Sequence, residues 1–274
     1  MLLLPQNIKP TQKALDKLAE YQQLVNAAGD YGLQVEAAKK HFKSKNVKAN
    51  TTFKAVKIAL SEMCSGARRC VYCEDSVSDE VEHIYPKDFY PNLVFVWENY
   101  LYACGPCNGP KNNRFEIFDP ATLAIVDLTQ SLPTAIPIGD PLLINPRIES
   151  GMDFMMLDLM DTFMFVPLPN QSTTNQQRAE RTIEILNLSR DVLQEARRLA
   201  FGMYKARLFE YVHSKVNGAT FEKLENMKNG IRREQHPSVW FEMKRYFLYD
   251  WLNSFEPELH DLFTQALNDD VLTW

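Results

Sequence analysis

Two Cys-x-x-Cys pairs constrain this chain more than any other feature of its sequence. Cys70 and Cys73 form the first pair, Cys104 and Cys107 form the second, and 30 residues separate the two pairs. Two such pairs can supply four thiolates to a tetrahedral site, which is the donor set of structural zinc. The redox alternative needs a single exposed pair in a thioredoxin-like context, which is absent. The spacing therefore predicts a structural zinc ion that closes the segment between the pairs.

The composition is that of an ordinary soluble globular protein. The chain has 274 residues, of which 45% are hydrophobic and 24% are charged. No apolar run approaches the roughly 18 residues that a membrane-spanning helix needs, and residues 1–5 lack the length and the charged flank of a secretory signal. We therefore expect a cytoplasmic protein with no membrane segment.

The charge is unevenly distributed along the chain. The net charge is −5, yet the first 60 residues carry +6 and the remainder carries −11. No acidic residue lies between Lys39 and Lys57. This basic run is either a solvated helical face or a patch that faces phosphates, and the sequence leaves both interpretations open. The acidic total argues against a protein that coats nucleic acid without specificity.

The pattern of apolar residues divides the chain into three regions and predicts a mainly helical α+β fold. Region 1–65 shows helical spacing in three stretches, the first capped by Thr11. Region 66–118 contains the cysteine pairs and is dense in proline, asparagine and aromatic residues. Region 119–274 begins with short predicted strands, at 142–146 and in a hairpin of 154–157 with 163–166. It then becomes helical from about residue 175, with one helix starting at Pro237 and an aromatic content typical of core.

A histidine and two asparagines within and beside the zinc-closed segment indicate catalysis. His83 directly follows Glu82, and hydrolysis of a phosphodiester needs a general base that works near neutral pH. Asn99 lies later in the segment, and Asn108 directly follows the last cysteine. The other four histidines have no comparable surroundings. His83 is therefore the candidate base.

Glu82-His83, Asn99 and Asn108-x-x-Lys111, framed by the cysteine pairs, resemble the HNH (ββα-metal) endonuclease family. The resemblance implies a two-stranded hairpin followed by a helix, packed on the N-terminal and C-terminal helices. It implies that His83 is the general base, that Asn99 braces the loop carrying it, and that Asn108 and Glu82 are metal ligands. The activity implied is metal-dependent hydrolysis of phosphodiester bonds.

The chain departs from the family pattern at two of these positions. Asn108 stands where histidine is usual, and Glu82 stands where aspartate is more common. An all-oxygen set suits Mg²⁺ or Mn²⁺ better than zinc, so we expect a catalytic magnesium or manganese in addition to the structural zinc. Lys87, Lys111 and Arg114 are the expected contacts to phosphates of the nucleic acid.

A narrower resemblance extends beyond these motifs, to the HNH nuclease subunits of bacterial Septu-type and retron-associated anti-phage systems. The segments that carry it are 70–74, 81–87, 97–104, 107–115, 142–146 and 181–190. That family implies DNA as substrate and an SMC/ABC-like ATPase as partner. Two other functions stay open: a noncatalytic zinc module that binds nucleic acid or protein, and an HNH nuclease directed at RNA.

Overall fold

The computed structural model describes residues 1–274, and its first region is a set of three helices. These are α1 (Gln12–Asn26), α2 (Tyr31–Lys45) and α3 (Thr51–Glu62). Each begins at a polar N-cap, Thr11, Asp30 and Asn50, whose side-chain oxygen accepts a backbone N–H of the first turn. The three predicted helices and the cap at Thr11 are confirmed.

The middle region is a hairpin followed directly by a short helix. Its elements are β1 (Glu80–His83), β2 (Tyr100–Ala103) and α4 (Gly105–Lys111). The strands are antiparallel, with Val81 opposite Tyr102 and His83 opposite Tyr100. The Phe53 ring of α3 lies 6.1 Å from the Tyr100 ring, so the N-terminal helices form the floor beneath the hairpin.

Arg147 ties the third region to this hairpin. Its Nε and Nη2 donate to the Tyr100 carbonyl at 3.0 and 2.8 Å, and its guanidinium lies 4.3 Å from the centre of the Trp97 ring. The side chain is buried. Because hydrogen bonds from a buried charged donor are strong and costly to lose, this residue fixes where β2 begins.

The strand predicted at 142–146 is wrong in position. The observed strand is two residues long and lies earlier, at Asp140–Pro141, where it pairs with Ile117 and Phe118. The Ile144 N–H donates to the Thr182 hydroxyl instead of a neighbouring strand, and the Asn145 side chain accepts the Arg147 N–H. The apolar residues that suggested a strand are buried, but side-chain hydrogen bonds turn the chain there.

A three-stranded sheet joins the end of the middle region to the third region, in the order β4 (Ile125–Asp127), β3 (Glu116–Phe118), β5 (Asp140–Pro141). The rest of the third region is a second hairpin and six helices: β6 (Met155–Leu157), β7 (Phe165–Pro167), α5 (Thr173–Ile185), α6 (Asp191–Val216), α7 (Phe221–Arg232), α8 (Pro237–Leu248), α9 (Trp251–Phe255) and α10 (Pro257–Ala266). The predicted hairpin is confirmed as β6 with β7, and the predicted start at Pro237 is confirmed as α8. The fold is α+β and mainly helical, as predicted.

One cluster of buried hydrophobic residues includes members of all three regions. In the C-terminal part of this cluster, the Trp240 ring stacks between Tyr204 at 5.3 Å and Phe263 at 5.2 Å. The prediction that the C-terminal aromatic residues belong to the core is therefore confirmed for Trp240. Tyr249 and Trp251 instead keep 64% and 39% of their surface exposed. No helix in the structure combines the length and the apolar character needed to cross a membrane.

Glu242 on α8 makes the core sensitive to pH. The side chain is fully buried, and it accepts the Leu157 N–H at 3.1 Å beside Arg245. Burial raises the pKa of Glu242 to about 7, against the opposing effect of Arg245. In the unfolded chain this carboxyl loses its proton near pH 4.5. The folded state therefore binds more protons between pH 4.5 and 7, and the contribution of Glu242 to stability falls as the pH rises through that window.

We expect Glu242→Gln to remove this pH dependence, because glutamine stays neutral and can still accept the Leu157 N–H. The free energy of unfolding, measured by urea titration from pH 4.5 to 8, would decline less in the variant than in the wild type. The difference between the two profiles would reach at most about 3 kcal/mol above pH 7. Parallel profiles over this range would contradict the assignment.

Candidate metal centre and adjoining pocket

The four cysteines of the two pairs form one buried cluster. Their Sγ atoms all lie within 4.8 Å of one another, and all four thiols are free of disulfides. Four thiolates at about 2.3 Å from a tetrahedral zinc lie about 3.8 Å apart, and the Cys73 and Cys104 sulfurs are 3.8 Å apart. The cluster therefore has the donor set and the spacing to hold zinc. The fifth cysteine, Cys64, lies outside it.

Two hydrogen-bond donors approach the sulfurs, one from within the cysteine pairs and one from outside them. The Cys104 N–H donates to the Cys70 sulfur at 3.4 Å, and Arg190 Nη2 donates to the Cys107 sulfur at 3.5 Å. Arg190 precedes α6 directly and is distant from the cluster in sequence. A zinc ion with four thiolates carries a net charge of −2, so a guanidinium at this distance offsets part of that charge.

A pocket of about 290 Å³ opens beside the cysteine cluster. Its wall is built from β1, the loop after β1, α4 and the Phe42 side chain of α2. His83 and Glu82 line it from the strand, and Asn108 lines it from the helix. The structure thus brings together three of the residues singled out in the sequence, next to the candidate zinc site.

His83 is held in one orientation and one protonation state. Its ring lies against Phe42 at 4.4 Å and Tyr100 at 5.2 Å, and its Nε2 is 3.0 Å from the Val94 carbonyl oxygen. A carbonyl only accepts, so Nε2 carries the proton and Nδ1 keeps the lone pair. Burial lowers the pKa of His83 to about 3, and the positive charge of Lys87 acts in the same direction. The imidazole is therefore neutral at physiological pH.

Asn99 fastens both ends of the loop that follows His83. Its Oδ1 accepts the Tyr85 N–H at 2.8 Å, and its Nδ2 donates to the carbonyls of Tyr85 and Leu93, both at 3.0 Å. The residue is buried. All three hydrogen bonds hold the backbone of the loop that leads from β1 to Val94. The carbonyl of Val94 in turn anchors the His83 ring.

Glu82 forms a buried ion pair with Lys111 of α4. The ammonium lies against Glu82 Oε1 and also donates a hydrogen bond to the His83 carbonyl at 2.8 Å. Burial raises the pKa of Glu82, and the charge of Lys111 opposes that rise. Glu82 is therefore a buried carboxylate that is paired with Lys111 and lines the pocket.

Glu80 is a pocket residue that sequence reasoning missed. Its Oε2 accepts a hydrogen bond from Asn108 Nδ2 at 2.7 Å, so the side-chain oxygen Oδ1 of Asn108 is not engaged by Glu80. Side chains of a strand alternate between its faces, so Glu80 and Glu82 lie on the same face of β1. That alternation was visible in the sequence and would have pointed to Glu80 once the strand was placed.

The three cationic side chains that were expected to contact phosphates of the nucleic acid lie in different surroundings. Lys87 lines the pocket and lies 3.8 Å from Asp88. Arg114 is at the surface, 2.9 Å from Glu184 of α5, and Lys111 is fully buried. Only Lys87 is both at the pocket and partly accessible to solvent.

Comparison with known proteins gives one partial likeness. No family model matches the chain. A stretch of 77 residues is 43% identical to the Septu protein PtuB of Bacillus thuringiensis, and it covers 26% of this chain and 29% of that protein. The match thus spans less than a third of the relative's length.

We expect Arg190→Gln to weaken zinc retention without unfolding the chain. Loss of a charged donor to the Cys107 sulfur would lower zinc affinity by about 10-fold or more, as for other groups that support metal ligands. Competition with a coloured zinc chelator measures this affinity. Arg198→Gln is the matched control, because Arg198 lies on α6, is exposed and pairs with Glu195. Equal zinc affinity in both variants would remove Arg190 from the site.

Proposed function

We propose that this chain is a metal-dependent HNH endonuclease that hydrolyses phosphodiester bonds of DNA. The observation that carries the proposal is the geometry of His83: an imidazole whose Nε2 is anchored on a backbone carbonyl, in a pocket lined by carboxylates and an amide. A histidine fixed in this way has one nitrogen available as a general base. The candidate zinc cluster beside it accounts for the rigidity of a hairpin and helix with little core of their own.

The residues of the pocket fit a hard divalent cation such as Mg²⁺ or Mn²⁺. Glu82 supplies a carboxylate that lines the pocket, Asn108 supplies its side-chain Oδ1 while its Nδ2 donates to Glu80, and both are oxygen ligands. We assign these two residues to the metal and add Glu80, whose carboxylate touches Asn108. A metal ion bound there would polarise the scissile phosphate and stabilise the leaving oxygen.

The remaining steps belong to the chain's own residues. His83 takes a proton from the attacking water with Nδ1, since Nε2 already donates to Val94. The Tyr100 hydroxyl donates to the same carbonyl at 2.7 Å, and Asn99 holds the loop that carries it, so the base cannot turn away from the pocket. Lys87 is the cation placed to hold a phosphate beside the scissile one.

Lys111 acts in this scheme as a positioning residue and not as a phosphate contact. Its ammonium is fully buried between Glu82 and the His83 carbonyl, so it lowers the cost of burying the carboxylate and holds the end of β1. Arg114 is paired with Glu184 at the surface. Of the three cations expected to contact phosphates, we therefore assign only Lys87 to a phosphate of the substrate.

The biological setting we propose is bacterial anti-phage defence. The likeness to the Septu protein PtuB supports it, together with the sequence segments that resemble Septu-type nuclease subunits. We propose on the same grounds that the chain works in the cytoplasm with an SMC/ABC-like ATPase subunit. Co-purification of the chain with an SMC/ABC-like ATPase of a Septu-type system tests that assembly, and separate elution of the two proteins would contradict it.

We expect His83→Ala to abolish cleavage of plasmid DNA in Mg²⁺ or Mn²⁺. Loss of a general base reduces rates by about 10²- to 10⁴-fold. His83→Gln is the companion variant, because its amide can still donate to the Val94 carbonyl and preserve packing. Zinc content by mass spectrometry and thermal melting establish that both variants are folded. Cutting at the wild-type rate by either variant would show that His83 is not the base.

We expect Glu80→Gln to weaken divalent metal binding in the pocket. Titration of Mn²⁺, followed by the electron paramagnetic resonance signal of the free ion, would show affinity lowered by about 10-fold or more, and cleavage would need more metal. Glu98→Gln is the control, because Glu98 is an exposed carboxylate outside the pocket. Unchanged Mn²⁺ affinity in Glu80→Gln would exclude Glu80 as a ligand. An RNA strand in the same cleavage assay distinguishes the two substrates.

A further inference from the structure

We infer that a basic groove on α3, which adjoins the pocket, binds the phosphate backbone of the nucleic acid that is cut. This inference rests on the proposed function and names a surface for its substrate. The groove has a volume of about 600 Å³ and lies between α3, the residues after α2 and the edge of β2. Its cations are Lys48, Lys54, Lys57 and Arg68.

These four cations form no ion pair within the chain, and only Arg68 lies over an aromatic ring, that of Tyr102. None of them lies within 4.0 Å of a carboxylate oxygen, although Glu62 also lines the groove. Other cations of the chain are engaged: Lys39 pairs with Asp88 at 2.8 Å, and the Lys45 ammonium lies 5.0 Å from the centre of the Tyr21 ring. The chain as a whole has a net charge of −5, yet cations without ion-pair partners surround this one concave surface. Such a local excess of positive charge is typical of a site that binds a polyanion.

The groove-lining residues of α3 lie along one face of that helix. Lys54, Lys57, Ile58 and Ser61 recur at spacings of three and four residues, which places them on one face of α3. From Lys54 to Ser61 this face extends about 10 Å, which is roughly the rise of three nucleotides of a duplex strand. The groove can therefore contact successive phosphates of one strand.

The groove and the pocket share a wall. Tyr102 lines the groove and Val81 lines the pocket, and the two are direct partners across the β1–β2 hairpin. Below them, Phe53 of the groove and Phe42 of the pocket meet edge to face, 5.6 Å apart. The groove on α3 is therefore adjacent to the pocket that His83 lines. The Arg68 guanidinium lies 5.9 Å from the Tyr102 ring, at this junction.

The test is binding of a fluorescein-labelled DNA duplex, measured by anisotropy over a range of salt concentrations without added divalent metal ions. Lys54→Gln/Lys57→Gln should lower affinity by about 10-fold or more at 0.1 M salt. The slope of log K against log salt should fall by about 2, since two counterions fewer are released. Thermal melting should be unchanged, because both side chains protrude from the surface of α3.

The matched control is Lys9→Gln/Lys223→Gln, which removes the same charge from two exposed lysines outside the groove that also lack a carboxylate partner. Unchanged affinity in this control supports the groove. An equal loss in both double variants, or no loss in the groove variant, overturns it. Binding of a polyglutamate peptide in preference to DNA also overturns it.

Cleavage assays separate this inference from the nuclease proposal. If the groove variant cuts DNA with unchanged KM, the groove is overturned and the nuclease stands. If the wild type binds DNA through Lys54 and Lys57 and cuts nothing in Mg²⁺ or Mn²⁺ with its partner present, the groove is supported and the nuclease assignment fails.

Discussion

Four thiols packed within 4.8 Å of one another at the base of the hairpin determine how the candidate site is assembled. One pair lies in the turn before β1 and the other begins α4, so a zinc ion between them would fix the helix relative to the strand. Asn108 follows the last cysteine directly, so a zinc ion bound to Cys107 would set the position of Asn108. Structural zinc contributes about 10 to 16 kcal/mol to folding in small zinc-finger peptides, which exceeds what this small hairpin could gain from its own packing.

Buried cations that donate to backbone carbonyls hold the surrounding loops. Arg147 donates to the Tyr100 carbonyl, and Lys111 donates to the His83 carbonyl. Arg197 on α6 repeats the arrangement, with Nη1 on the Phe163 carbonyl at 3.0 Å and Nη2 on the Leu188 carbonyl at 2.9 Å. Because a buried charge without partners is costly, each of these side chains has a single good position. Irregular segments on both sides of the hairpin are thereby given a defined conformation.

Short-range features of the sequence were sufficient to predict those helices and strands whose formation depends mainly on neighbouring residues. The helices of the first region follow from apolar spacing and polar caps, and the β6–β7 hairpin follows from two apolar runs around a turn. The strand expected at 142–146 failed because Thr182, which is remote in sequence, takes the Ile144 N–H. Lys111 looked like a surface cation, since its burial against Glu82 depends on how α4 packs on β1.

The sequence by itself determined the four candidate thiol ligands and the α+β, mainly helical character of the chain, because residue type and spacing define donor chemistry and helix periodicity. It also supplied the candidates His83, Asn99 and Asn108, through their resemblance to the HNH pattern. Tertiary structure decided the rest. It placed Val94 to select the tautomer of His83, brought Glu80 to Asn108, and left the cations of α3 unpaired beside the pocket. Each of these three features depends on contacts between residues that are distant along the chain. Such contacts are set by packing and by the pairing of buried charged groups.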